Sequence, residues 1–269
     1  MMIYHQKVKM AKIIAISNQK GGVAKTTTTQ ALAAVLNQRG YKVLAVDFDP
    51  QGNLSDSANA VTEGVNTVYE VLKQSATVGE STQELSAFEI VPANILLASA
   101  DQTLAQTGKE YRLKEALEPV KSLYDYILID TPPSLGLLTI NAFTAADEII
   151  IPTTAGKFAV KGINELFNTV KNVIKYCNPH LKIRGILFTK FDPRTNNSKD
   201  MKILVEKLSE ALETPLFNTF IRNRVAVDEA QARSQDILTF SGCEDIAADY
   251  NAFIDEYLER EYEKKPLKY

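Results

Sequence analysis

Five short runs rich in β-branched residues stay apolar from end to end: Ile13–Ile16, Val43–Val46, Tyr126–Ile129, Ile149–Ile151 and Gly185–Phe188. A strand with one wet face alternates apolar and polar residues, so strands without alternation are covered on both faces. Amphipathic stretches lie among them, at Thr26–Arg39, Ile163–Tyr176, Lys199–Leu212 and Glu244–Glu263. This alternation predicts a doubly wound α/β fold, a mostly parallel sheet with helices on both faces. A further strand is expected at Leu216–Ile221. In the last helical stretch Tyr250, Phe253, Ile254, Tyr257 and Leu258 recur at helical spacing, and that apolar stripe predicts docking on the core.

The chain has 269 residues, 45% apolar and 23% charged, enough to bury a full core. We read residues 1–269 as a single domain, with an N-terminal extension (1–11), an insertion of loops around a short helix near Val68–Lys73 (55–87), and a C-terminal helix and tail (244–269). The net charge of −3 excludes a chain that adheres to nucleic acid or anionic lipid by overall charge. The balance is uneven, however. Residues 236–269 hold nine acids against four bases, and residues 182–233 hold ten bases against seven acids, which leaves room for a modest basic patch. Cys177 and Cys243 are too few and too far apart for a disulfide scaffold or a four-cysteine metal site, so they read as ordinary buried residues of a reducing cytoplasm. No apolar run approaches the roughly 18 residues of a membrane span, so no integral membrane association is expected.

The strand Lys12–Ser17 runs into Asn18-Gln19-Lys20-Gly21-Gly22-Val23-Ala24-Lys25-Thr26-Thr27, with a helical pattern beginning near Lys25. Gly21 and Gly22 let the backbone turn with its N–H groups inward, and the helix N-terminus adds partial positive charge where an anion would sit. The loop from Gly21 through Val23 and Ala24 to Thr27 would cradle a nucleoside triphosphate. Lys25 would hold its β- and γ-phosphates, and the Thr26 hydroxyl would complete the shell of a Mg²⁺ ion. The pattern G-x-x-x-x-G-K-[ST] fails, because Gln19 and Ala24 stand at its glycines. What matches is K-G-G-x-x-K-[ST], with a second lysine, Lys20, at the loop's start. In this form the loop resembles the ParA/MinD family of deviant Walker A P-loop ATPases. The resemblance implies ATP and Mg²⁺ as cofactors and a nucleotide-dependent homodimer, in which Lys20 of one subunit reaches the ATP of the other. Ala24 departs from the family's glycine, and its methyl group is expected to crowd the loop.

After the second strand comes Val46-Asp47-Phe48-Asp49-Pro50-Gln51-Gly52-Asn53. Both carboxylates fall near the C-terminal edge of the sheet, where ligands of open α/β folds bind. A lone Asp there would more simply be a turn or cap residue. The whole run is similar to the family's D-x-D-P-Q-G-N switch segment, which implies that Asp49 positions the attacking water and Asp47 helps fix the Mg²⁺ hydration shell. Tyr126–Asp130 reads as a Walker B strand, apolar and ending on one acid, and Asp130 is expected to hold a Mg²⁺-bound water. The D-T-P-P-S stretch from Asp130 to Ser134 resembles the second switch loop. Lys157-Phe158-Ala159-Val160-Lys161-Gly162 is similar to the short motif before the helix that lines the dimer or partner face. With water as acceptor, catalysis in such a site is mainly positioning and charge neutralisation.

Branches of the family differ outside the loop. Nitrogenase-type reductases and tail-anchor targeting ATPases need paired interface cysteines, which this chain lacks. MinD-like members end in a basic amphipathic helix, whereas the run from Tyr257 to Lys265 sets three acids against three bases, too acidic for an anionic bilayer. Phe191-Asp192-Pro193-Arg194-Thr195-Asn196 is similar to the x-D-x-R-T-N segment of partition ATPases, whose arginine contacts DNA nonspecifically, and Arg194 inherits that role. Phe220-Ile221-Arg222-Asn223-Arg224 resembles the I-P-R-N segment, with Ile221 in place of proline. By that likeness Asn223 lies near the adenine and Arg222 or Arg224 touches DNA; the other reading of these arginines is a solvated surface. The resemblance runs from about Lys12 to about Phe253 and is nearest to the short, Soj-like type. It implies a dimer that binds nonspecific DNA in the ATP state, associates with the nucleoid, and is reset by a ParB-type centromere-binding protein. The alternative is a MinD-like or cargo-positioning ATPase acting on a protein or membrane-associated complex without DNA. A regulator with little turnover is a third reading, motivated by Ala24.

Overall fold

The computed structural model describes residues 10–104, 107–156, 159–235 and 237–262. The expectations for residues 1–9, Lys157, Phe158 and the tail from residue 263 lie outside these. The strands are β1 (Lys12–Ile16), β2 (Val43–Asp47), β3 (Gln83–Glu84), β4 (Glu89–Val91), β5 (Tyr126–Asp130), β6 (Glu148–Thr153), β7 (Lys182–Phe191) and β8 (Leu216–Arg222). Among the described residues they form one sheet in the order β3-β4-β2-β5-β1-β6-β7-β8. Neighbours run parallel except β3, which is antiparallel to β4.

The helices are α1 (Lys25–Gln38), α2 (Asn53–Ser57), α3 (Val68–Leu72), α4 (Val78–Ser81), α5 (Ala100–Thr103), α6 (Arg112–Leu117), α7 (Leu137–Ala145), α8 (Ala159–Tyr176), α9 (Asn196–Ala211), α10 (Val225–Ala232) and α11 (Glu244–Tyr262). Alternate residues of each central strand serve opposite faces. Ile14, Ile16, Ala45, Leu128 and Ile150 pack with Leu32 and Val35 of α1 and Tyr250 and Phe253 of α11. Ile13, Ala15, Leu44, Ile127 and Ile149 pack with Phe143 of α7 and Ile163 and Leu166 of α8. This two-sided burial is why the strands carry no alternation. The stripe Tyr250, Phe253, Ile254 and Tyr257 is fully buried, each side chain contributing roughly 1.5–3 kcal/mol of apolar transfer. Tyr250 also ties α11 to α1, its hydroxyl 3.2 Å from Thr28 Oγ1.

The segment 55–87 holds more structure than loops around one helix. Thr67 and Thr77 head α3 and α4 in capping boxes closed by Glu70 and Glu80, and β3 with β4 extends the sheet beyond β2. These elements are too short to show a period. Helix α7 shows no amphipathic period for the opposite reason: nearly every residue in it is buried.

For function the decisive point is the position of β1, between β5 and β6. The chain leaves β1 for β2 on one side, and β6 lies on the other. The C-terminal ends of β1, β2 and β5 therefore converge at a switch point, where open α/β sheets bind ligands.

Candidate nucleotide-binding site

The loop 17–24 joins β1 to α1. Asn18, buried, donates through Nδ2 to Pro152 O at 2.7 Å, while its Oδ1 accepts from Lys20 N at 3.0 Å. The loop is thereby fastened to the end of β6. Gly22 has φ +73°, a left-handed conformation that glycine adopts without strain. Ala24 is also left-handed, at φ 61° and ψ 36°. Glycine is therefore suited to this position by backbone conformation, and the departure at Ala24 acts through φ. An L side chain held there costs about 1 kcal/mol.

Lys25 is buried, and its Nζ donates to Lys20 O at 3.4 Å. Burial lowers its pKa, and the carboxylates of Asp130 and Asp49 oppose that by favouring the cation. Thr26 Oγ1 donates to Asp130 Oδ2 at 2.6 Å. Asp130 is fully buried, and its Oδ1 has no hydrogen-bond partner. Burial, and then the charge of Asp47 beside it in register on β2, push Asp130 up to about 8. The orphaned buried carboxylate oxygen of Asp130 and the hydroxyl of Thr26 are oxygen donors of the kind that suit a hard cation. Among the described residues no cluster of three or more His, Cys, Asp or Glu is placed to hold a metal. One hydroxyl and one carboxylate suit Mg²⁺, which takes few protein oxygens and completes its shell with phosphate and water.

Asp47, expected in the Mg²⁺ shell, has both oxygens engaged elsewhere. Oδ1 accepts from Asp49 N at 3.2 Å, and Oδ2 accepts from Ser55 N and Oγ at 2.8 and 2.7 Å. It braces the loop that carries Asp49. Ser55 is the residue the sequence reading missed; eight positions from Asp47, it reaches the carboxylate only because the chain turns at Gly52 (φ +65°) into α2. Asp49 itself is buried and lines the cavity, its Oδ1 accepting from Gln51 N at 3.0 Å.

That cavity, of about 610 Å³, is walled by Gly21, Gly22, Ala24, Lys25, Thr26 and Thr27, with Asp49 and Gln51 from the first switch segment and Pro133 from the second. Lys20 turns away from it: its Nζ donates to Thr154 Oγ1 at 3.2 Å. A side chain on Gly156 would crowd that ammonium, since a Cβ there would lie 3.0 Å from Nζ. Asn223 lines a smaller apolar crevice beside the cavity, with Ala24, Thr27, Ile221 and Tyr250.

The three arginines differ. Arg194 stands exposed on the loop between β7 and α9, paired with Asp192 through Nε and Nη2 at 3.0 and 2.9 Å. Arg222 and Arg224, of which one or the other is expected to touch DNA, are both paired with acids of α11. Arg222 makes a two-point pair with Asp249, its Nη2 2.7 Å from Oδ1, and also meets Asp245. Arg224 pairs with Asp245 at 2.5 Å. Asp245 and Asp249 share one helix face, four residues apart, and the loop after β8 lies over it.

The chain is similar to known proteins over most of its length. Residues 11–183 match the AAA domain family. The chain is 42% identical over 235 residues to the sporulation initiation inhibitor protein Soj of Bacillus subtilis, covering 86% of this chain and 92% of that one. It is 37% identical over 267 residues to the chromosome partitioning protein ParA of Myxococcus xanthus, covering 96% and 92%. The chain belongs to the ParA/Soj-type P-loop ATPases. The fold of this family is also seen in cobyrinic acid a,c-diamide synthase from Mycobacterium smegmatis, solved with an ATP analogue and magnesium, at 34% identity and a TM-score of 0.75 over 83% of this chain and 93% of that one.

Proposed function

We propose that this chain is a partition ATPase that binds ATP with Mg²⁺, dimerises in that state, binds nonspecific DNA as the dimer, and is reset when a ParB-type centromere-binding protein stimulates hydrolysis. The observation that carries the reading is the Thr26–Asp130 pair with its unpartnered oxygen, set at the end of β5 beside the buried Lys25. Mg²⁺ held there would draw charge from the β- and γ-phosphates. Lys25 places a cation against the same phosphates. Asp49, held by Gln51 N and facing the cavity, orients the attacking water. Lys20 leaves Thr154 when a second subunit docks and completes the neutralisation across the interface, as charge supplied in trans does in phosphoryl transfer. Arg194, exposed on a loop at the same edge of the sheet, supplies the DNA contact, and the ATP-bound protein associates with the nucleoid.

The pairing of Arg222 and Arg224 with α11 favours one second reading, a positioning ATPase that recruits a protein or membrane-associated complex without DNA. No helix among the described residues is long and apolar enough to cross a membrane. Co-sedimentation of the ATP-bound protein with DNA and with anionic liposomes, run side by side, separates the two. Recovery with DNA alone supports partition; recovery with liposomes alone, or with neither, overturns it.

A further inference from the structure

The last residues of β7 and β8 stand side by side. The two strands run parallel, and Phe191 is paired in register with Arg222. Asp192 and Arg194 therefore leave the sheet next to Asn223 and Arg224, at its C-terminal edge. Helix α11 carries Glu244 and Asp245 in its first turn, where the partial positive charge of a helix N-terminus favours an acid. Three arginines and three carboxylates meet there.

They alternate in space: Arg194, Asp192, Arg224, Asp245, Arg222, Asp249. Asp192 holds Arg194 in a fork, Oδ1 accepting from Nε at 3.0 Å and Oδ2 from Nη2 at 2.9 Å, and Oδ1 also accepts from Arg194 N at 3.0 Å. These bonds, with the nearby charge of Arg224 added to them, pull the Asp192 carboxyl down to about 2. Asp245 sets one oxygen, Oδ2, between two guanidinium groups, 2.5 Å from Arg224 Nη2 and 3.4 Å from Arg222 Nη1. The six charges cancel.

The pairs are not equivalent. Asp249 is buried, holds Arg222 at two points and accepts from its backbone N at 3.0 Å, so that pair belongs to the docking of α11. The side chains of Arg194 and Arg224 keep 84% and 44% of their surface exposed. An ion pair so open to water is weak, and a phosphate takes the place of a carboxylate with the same geometry. Asp192 and Asp245 thus stand where the phosphates of a nucleic acid would rest on this face.

We propose that Asp192 and Asp245 are internal substitutes for DNA phosphates, an autoinhibitory contact that keeps the arginines of a single subunit from holding nucleic acid. DNA has to displace both carboxylates, so one subunit gains little by contact. A dimer brings two such faces to one duplex, and the second contact then forms at high effective concentration. The proposal rests on the partition reading above, and it assigns the low resting affinity to two named acids.

The test is binding of the full chain, without nucleotide, to nonspecific double-stranded DNA over a range of salt concentrations. Asp192→Asn/Asp245→Asn removes both charges, keeps the side-chain shape and leaves Asp249 in place. Exposed pairs add little stability, so its melting temperature should stay close to that of the wild type. Glu63→Gln/Glu84→Gln removes the same charge from exposed positions on and beside β3, at the opposite edge of the sheet, and controls for net charge. We expect the first variant to bind at least about tenfold more tightly than the wild type, with a salt slope steeper by about 2, and the control to stay within about threefold. Asp245→Asn alone should give about half that change in slope. Adding Arg194→Ala and Arg224→Ala to the double variant should return it to wild-type affinity. A double variant that binds no better than the wild type, or a gain matched by the control, overturns the proposal. Failure of wild type and double variant alike to bind DNA, with ATP as well as without, overturns the partition reading instead.

Discussion

Thr26 and Asp130 meet across 2.6 Å, the hydroxyl of the first residues of α1 donating to the last residue of β5, while the second oxygen of the carboxylate stays buried and unpartnered. Burial and Asp47 raise the Asp130 pKa from 3.8 to about 8. The folded chain then keeps a proton that the unfolded chain loses, so stability without ligand falls as pH rises from about 4 to about 8 and levels off above. Asp130→Asn removes this contribution. Its melting temperature should change less than that of the wild type between pH 5 and pH 8, by about the slope one proton gives. ATP hydrolysis should fall at least about 100-fold. Parallel melting curves for the two proteins across that range would contradict the assignment.

Ala24 pays for a left-handed conformation that glycine adopts freely. Ala24→Gly should gain up to about 1 kcal/mol, after allowing for the greater freedom of glycine in the unfolded chain. That corresponds to a rise of about 2–4 °C in melting temperature for a chain of this size. A lower melting temperature in Ala24→Gly would show that the methyl group packs favourably enough to outweigh its φ.

Lys20 Nζ rests on Thr154 Oγ1 at 3.2 Å and does not line the triphosphate cavity. Lys20→Ala should therefore leave nucleotide affinity of the monomer within about twofold, while turnover at concentrations that favour the dimer drops about 100-fold. Titration calorimetry gives the first quantity and phosphate release the second. A large loss of affinity with turnover intact would place Lys20 in its own subunit's site.

Much of this was legible in the residues because burial writes itself into sequence. Continuous apolar runs marked β1, β2, β5, β6 and β7, and Lys25, Thr26, Asp49 and Asp130 stand at the ends of three of those strands as their motifs require. What stayed hidden depends on pairing or dihedrals. Strands β3 and β4 are two and three residues long, too short for any period. Asp47 looks like a metal acid in a motif, but its chemistry here is set by Ser55, brought back by the turn into α2. Arg222 and Arg224 read in sequence as a DNA contact by one of them or as a solvated surface, and the docking of α11 sets Asp245 and Asp249 against them.

Arg194 is the arginine of the three that lies fully on the surface, and its local pair with Asp192 is the kind of exposed contact a phosphate readily displaces. The most direct test is nonspecific double-stranded DNA binding by the wild type and Arg194→Ala, each with ATP, with ADP and without nucleotide, at one fixed salt concentration. The account predicts binding by the wild type with ATP only, and at least about tenfold weaker binding by Arg194→Ala in that state. Equal binding by the wild type in all three states, or none in any, would contradict it.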